Sequence, residues 1–152
     1  FKKDNGRVYN EPEYAYGWLN LNTGLVEYLE VPVQYEIKDG QKEFIWHQDL
    51  KTETKNIREL DIAQDQRSKR DGWVWNFNPN PILINEKLFY TTMSGIVYCF
   101  DTSKDVFDEK SLIGVSDLGP KGKTWTLSSP SFSEGSIYHK TSKQLICIGT
   151  SK

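Results

Sequence analysis

Pro81-Ile-Leu-Ile-Asn-Glu-Lys-Leu-Phe-Tyr-Thr-Thr-Met-Ser-Gly-Ile-Val-Tyr-Cys-Phe-Asp101 and Pro130-Ser-Phe-Ser-Glu-Gly-Ser-Ile-Tyr-His-Lys-Thr-Ser-Lys-Gln-Leu-Ile-Cys-Ile-Gly149 are two versions of one pattern. Laid side by side without a gap, they pair Pro81 with Pro130, Leu83 with Phe132, Leu88 with Ile137, Phe89 with Tyr138 and Thr92 with Thr141. Deleting one residue at the second turn then pairs Val97 with Leu145, Tyr98 with Ile146 and Cys99 with Cys147. Each version parses as three short strands. The joints are tight hairpin turns, Asn85-Glu86-Lys87 against Glu134-Gly135-Ser136 and Met93-Ser94-Gly95 against Ser142-Lys143-Gln144. Self-similarity of this kind marks one supersecondary unit built twice.

The unit extends beyond its matched centre. Upstream of each proline stands an aromatic-led segment, from Trp75 and from Trp125, that leads into the first strand. Downstream of Asp101 a polar turn precedes Ser111-Leu-Ile-Gly-Val-Ser116, which reads as a fourth strand. Four antiparallel strands at a spacing near 50 residues describe a blade of a β-propeller. Fainter strand-turn-strand corners occur at Gly17 to Glu30 and at Phe44 to Glu53, and Val33–Ile37 with Glu43–His47 would make a hairpin across Lys38-Asp39-Gly40. The four corners, at Asn20, Asp49, Asp101 and Gly149, are 29, 52 and 48 residues apart, so the first interval is short for a full blade.

The fold class expected is therefore all-β, a partial propeller of about three to four blades of four antiparallel strands. Residues 1–58 would be degenerate blades, 59–72 a charged loop insertion, 73–118 a well-matched blade, and 119–152 a last blade without its outer strand.

Composition agrees with strands and excludes several functions. The 152 residues are 37% hydrophobic and 13% aromatic, with one Met and many Thr, Val, Ile and Tyr, as in half-buried pleated strands. Nineteen basic and 21 acidic residues are interspersed to a net charge of −2, so there is no basic field for a phosphate backbone and nucleic acid is not expected as a partner. Apolar runs such as Gly95 to Phe100 are far too short for a transmembrane helix. The chain begins at Phe1 without an initiator Met, which suggests processing or excision, and the two cysteines, Cys99 and Cys147, form no disulfide or zinc framework by number or spacing.

Pro81 to Asp101 resembles the repeat of the quinoprotein-like (pyrroloquinoline-quinone-like) propeller family, and Pro130 to Gly149 resembles it with Gln144 in place of the turn glycine and Gly149 in place of the aspartate. Asn20-Leu-Asn-Thr23-Gly24 with Tyr28 is similar to the family's docking corner, with Asn for Asp and Tyr for Trp, while Asp49-Leu-Lys-Thr52 keeps its front half. In such a corner the carboxylate or amide accepts turn amides and the aromatic packs between blades. The resemblance implies a periplasmic or extracellular protein and a ring whose remaining blades lie outside this chain. It also implies equivalent, buried free thiols at Cys99 and Cys147, too far apart to bridge. Family members include quinone-dependent dehydrogenases and a non-enzymatic assembly lipoprotein. No motif here supplies a dehydrogenase's Asp base or its calcium set, so no cofactor is assigned, pyrroloquinoline quinone standing as an option of the family that no motif in this chain supports, and no metal site or catalytic residue is assigned.

The candidate ligand-binding residues are Trp75, Asn76, Asn78, Trp125, Ser128 and His139, with Trp73, Asn80 and Ser129 beside them, because the starts of propeller strands line the central funnel. Trp with Asn suits a flat polar ligand through stacking and amide hydrogen bonds. The plainer reading of Trp75 and Trp125 is packing between blades, and that of His139 and His47 is a structural or surface histidine. The function expected is non-catalytic binding of a protein or small polar ligand, or scaffolding. The alternatives are a fragment of a quinone- or sugar-dependent oxidoreductase and a carbohydrate-binding protein.

Overall fold

The computed structural model of the protein describes residues 15–19, 21, 23–32, 34–46, 55–61, 79–103, 108–119 and 124–149. Eleven strands lie within them: β1 (Ala15–Leu19), β2 (Val26–Glu30), β3 (Gln34–Lys38), β4 (Gln41–Ile45), β5 (Ile82–Ile84), β6 (Lys87–Thr91), β7 (Ile96–Asp101), β8 (Leu112–Asp117), β9 (Ser131–Ser133), β10 (Ser136–Lys140) and β11 (Leu145–Ile148). The fold is all-β, and every pairing between strands is antiparallel. The strands form the two-stranded sheets β1-β2 and β3-β4, the four-stranded sheet β5-β6-β7-β8 and the three-stranded sheet β9-β10-β11. None of these sheets closes on itself among the described residues.

Local chemistry explains where the strands turn. Three hairpins share a two-residue turn in which both residues have positive φ: Asp39-Gly40 (51° and 78°), Asn85-Glu86 (46° and 60°) and Glu134-Gly135 (48° and 79°). That backbone matches the right-handed twist of the flanking strands, and Asn, Asp and Gly adopt it with least strain. Because Asp39 and Gly40 alone make their turn, Lys38 pairs with Gln41, so the strand expected from Glu43 to His47 instead runs from Gln41 to Ile45.

The two repeats fold with the same register. Leu83 opposes Leu88 and Phe132 opposes Ile137; Phe89 opposes Cys99 and Tyr138 opposes Cys147. The one-residue deletion also falls where the alignment puts it. The Thr92 N–H closes its turn on the Ile96 carbonyl at 2.8 Å, whereas the Thr141 N–H closes one residue sooner, on the Gln144 carbonyl, also at 2.8 Å. Both threonines brace the turn, Thr92 Oγ1 accepting from the Ile96 amide (3.0 Å) and Thr141 Oγ1 from the Gln144 amide (3.0 Å).

The fourth strand of the first repeat, β8, follows a single 3₁₀ turn, Glu109–Ser111. Asp108 Oδ1 accepts from the Lys110 amide (2.9 Å) and the Asp108 amide donates to Ser111 Oγ (3.1 Å), a reciprocal cap that starts the strand at Leu112. Asp101 holds the preceding polar corner by accepting from both the amide and the hydroxyl of Ser103, at 3.0 and 2.6 Å.

The core lies between β7-β8 and the end of β2. Ile96, Tyr98 and Phe100 alternate onto one face of β7 and are completely buried, packing with Val115, Leu29 and Val31. Each such side chain is worth about 1.5–3 kcal/mol of transfer free energy. Polar contacts cross the same junction. The Tyr98 hydroxyl donates to the Pro32 carbonyl, Gln34 Nε2 donates to Asp117 Oδ2 (3.3 Å), and Lys42 Nζ donates to the Val115 carbonyl (2.8 Å).

The cysteines correct one expectation. Both thiols are free, but Cys99 is half-buried and Cys147 is exposed. Cys147 lies on β11, the edge of its three-stranded sheet, whereas Cys99 lies on β7, which is flanked by β6 and β8. Burial pushes the Cys99 thiol above its usual range, with Lys87 partly opposing this and Asp101 reinforcing it.

Candidate functional site

The segment from Thr124 to Pro130 joins the two repeats along a seam. The Thr124 side chain is buried and rests on two glycines: an added Cβ at Gly95 would lie 2.5 Å from Thr124 Cγ2, and one at Gly119 would lie 2.5 Å from Thr124 Oγ1. Neither position tolerates a side chain without displacing Thr124. Next, the Thr126 amide donates to the Met93 carbonyl (2.9 Å) and its hydroxyl to the Lys140 carbonyl (2.6 Å), so one residue bridges both repeats. The Trp125 carbonyl accepts from the Ser142 amide (2.9 Å), and the Ser128 amide donates to Thr126 Oγ1 (3.0 Å). Where the first strands begin, the Asn80 amide donates to Ser129 Oγ at 2.8 Å, a contact between positions 49 residues apart.

The seam gathers some of the residues singled out in the sequence. Trp125 is buried (9% exposed), Ser128 is half-buried, and Asn80 and Ser129 are exposed. His139 is also interior, 1% exposed, on β10 opposite Ile146. Burial holds its imidazole below the usual histidine range, an effect the backbone of Lys140 partly offsets. An interior Trp125 and an interior His139 fit a packing role better than direct display to solvent. Trp73, Trp75, Asn76, Asn78 and His47 lie outside the described residues.

A separate cleft, not anticipated from the sequence, opens beside β8. It has a volume of about 330 Å³ and is walled by Leu29, Pro32, Phe44, Trp46, Leu112, Ile113, Gly114 and Val115, with two carboxylate residues, Glu30 and Glu109, completing the lining. Phe44 and Trp46 are each 46% exposed, so both rings are only partly covered. A slip of one residue in the β7–β8 register, from Cys99–Gly114 to Phe100–Leu112, leaves Ile113 without an opposite residue and bends the strand at the cleft wall. These residues come from three separate segments, 29–32, 44–46 and 109–115, and only packing brings them together.

No family model, curated protein or solved structure matches this chain. Function must be read from the seam and the cleft themselves. Among the described residues no group of three or more His, Cys, Asp or Glu side chains is placed to hold a metal ion, and no helix is long and apolar enough to cross a membrane.

Proposed function

We propose that this chain supplies successive blades of a β-propeller of the quinoprotein-like repeat type, in a non-catalytic binding or scaffold protein of the cell envelope or exterior. The observation that carries the reading is the pair of repeats. Two units 49 residues apart share the lengths of their first two strands, type I′ turns and cross-strand register, and they are stitched at the starts of their first strands by the Asn80–Ser129 contact. In a propeller those starts face a central funnel, and repetition builds a broad binding surface there. Phe132 and Ile148, which stand exposed on one face of β9 and β11, would be covered by an adjoining unit of a ring.

Supplying purified protein with pyrroloquinoline quinone and calcium, then offering simple alcohols and aldoses with a redox dye, tests the non-catalytic reading. Dye reduction at background and no quinone absorbance co-eluting with the protein are expected. Substrate-dependent reduction would replace the binding role with an oxidoreductase.

A further inference from the structure

We infer that the cleft between β2, β4 and β8 is a binding site for a small organic ammonium ion with an apolar body, such as an arylalkylamine. The inference uses the cleft alone and stands independently of the ring proposed above.

Size, lining and charge all point the same way. A volume of about 330 Å³ lies at the lower end of ligand sites, enough for one small molecule. Leu29, Pro32, Leu112, Ile113 and Val115 provide an apolar floor, and Phe44 and Trp46 supply half-exposed rings. Among the described residues of the lining the charged ones are Glu30 and Glu109, two carboxylates against the single Lys42 ammonium held beside Val115, so the balance favours a cation and opposes an anion. An apolar site with aromatic walls and carboxylates is the chemistry that recognises an ammonium group on a hydrocarbon, because the ring face and the carboxylate both attract the charge while the floor takes the body.

The same region already accommodates one ammonium group in this manner. Lys42 Nζ sits 4.5 Å from the Tyr35 ring centroid and donates at 2.8 Å to the carbonyl of Val115, a residue of the cleft wall. A ligand ammonium would repeat that pairing of ring and oxygen with Trp46 or Phe44 and Glu109. Neutral apolar molecules would gain the floor but not the charge, and anions would meet two carboxylates.

Three probes sharing one ring separate these contributions: phenethylammonium, 2-phenylethanol and phenylacetate, titrated into the purified protein by calorimetry and followed at the Trp46 indole N–H by NMR. Phenethylammonium should bind and shift the Trp46 signal, 2-phenylethanol should bind about tenfold more weakly, and phenylacetate should leave the signal unmoved. Glu109→Gln and Glu30→Gln should each weaken the ammonium several-fold without changing the alcohol, and Trp46→Ala should abolish binding of both with the circular dichroism unchanged. Equal binding of all three probes, or an ammonium affinity untouched by both glutamine variants, would overturn the inference. A Trp46 signal that no probe moves, as when another part of the protein fills the cleft, would overturn it as well.

Discussion

Replacing Gly95 with alanine probes the seam between the two repeats, and the chain contains its own control. Gly95 has φ +87°, and Gly135, which lies in the β9–β10 turn, has φ +79°, so an alanine at either position meets nearly the same backbone strain. That strain costs about 1–2 kcal/mol for a residue with a Cβ. The surroundings differ. Nothing lies within 4 Å of an added Cβ at Gly135, whereas at Gly95 it would sit 2.5 and 2.7 Å from Cγ2 and Cβ of Thr124. Thr124 is 5% exposed and is held from the other side by Gly119, so it has little room to yield, and forcing a methyl against it adds about 1–3 kcal/mol of overpacking. Gly95→Ala should therefore destabilise by about 2–5 kcal/mol and Gly135→Ala by about 1–2 kcal/mol. Urea denaturation of both variants, fitted with a common m value, measures the difference directly. Equal losses for the two would mean that Thr124 does not rest on the β6–β7 turn, and the seam as described would be wrong.

Tyr98→Phe removes the buried hydroxyl that donates to the Pro32 carbonyl and leaves that oxygen unsatisfied; a loss of about 1–3 kcal/mol in the same denaturation assay is expected. His139 sets a pH dependence with a definite sign. Its folded-state value lies below that of an exposed imidazole, so the unfolded chain binds the extra proton first as pH falls. Its contribution to stability is complete above the ordinary histidine range and declines as pH falls through that range towards the folded value. Denaturation midpoints of wild type and His139→Asn compared from pH 8 to pH 5 should converge as pH falls, and a constant gap would refute this. With an exposed Cys147 and a half-buried Cys99 of raised pKa, a thiol reagent should label Cys147 first, with Cys99 reacting at a rate that rises on unfolding; peptide mass mapping over time checks the order.

The elements read most directly from the sequence are those fixed by neighbours along the chain. Asn85-Glu86 and Glu134-Gly135 announce their turns by residue type, and the matched pairs around them set the register, down to the residue missing after Thr141. The fourth strand was displaced by a single residue, because Ser111 is engaged in the cap with Asp108 and β8 begins at Leu112. The boundary of β4 was less legible, since Lys38-Asp39-Gly40 allows several turn lengths and only the backbone conformation at Asp39 and Gly40 selects the two-residue form. Burial was the harder quantity. Cys99 and Cys147 are equivalent in sequence and in register, yet one is half-covered and the other is not, because cover depends on what packs beside the sheet. Trp125 and His139 stood out by type, but only the fold places them inside. The cleft left no trace in spacing. Glu30, Trp46, Glu109 and Ile113 belong to no common motif, and the one hint was an aromatic at Trp46 just past the end of a strand whose outer residues are polar.

Disulfide trapping between Asn80→Cys and Ser129→Cys tests most directly whether the two repeats stand as consecutive units joined where their first strands begin. The 2.8 Å contact from the Asn80 amide to Ser129 Oγ places the two Cα atoms within about 7 Å, the reach of a disulfide. The native thiols of Cys99 and Cys147, on the third strands, serve as internal controls. Mild oxidation of the folded double variant should give an intramolecular bond between positions 80 and 129 in high yield, with Cys99 and Cys147 still titratable. A folded protein in which that pair resists both oxidation and a short bis-thiol crosslinker, or in which Cys99 and Cys147 join instead, would contradict the arrangement.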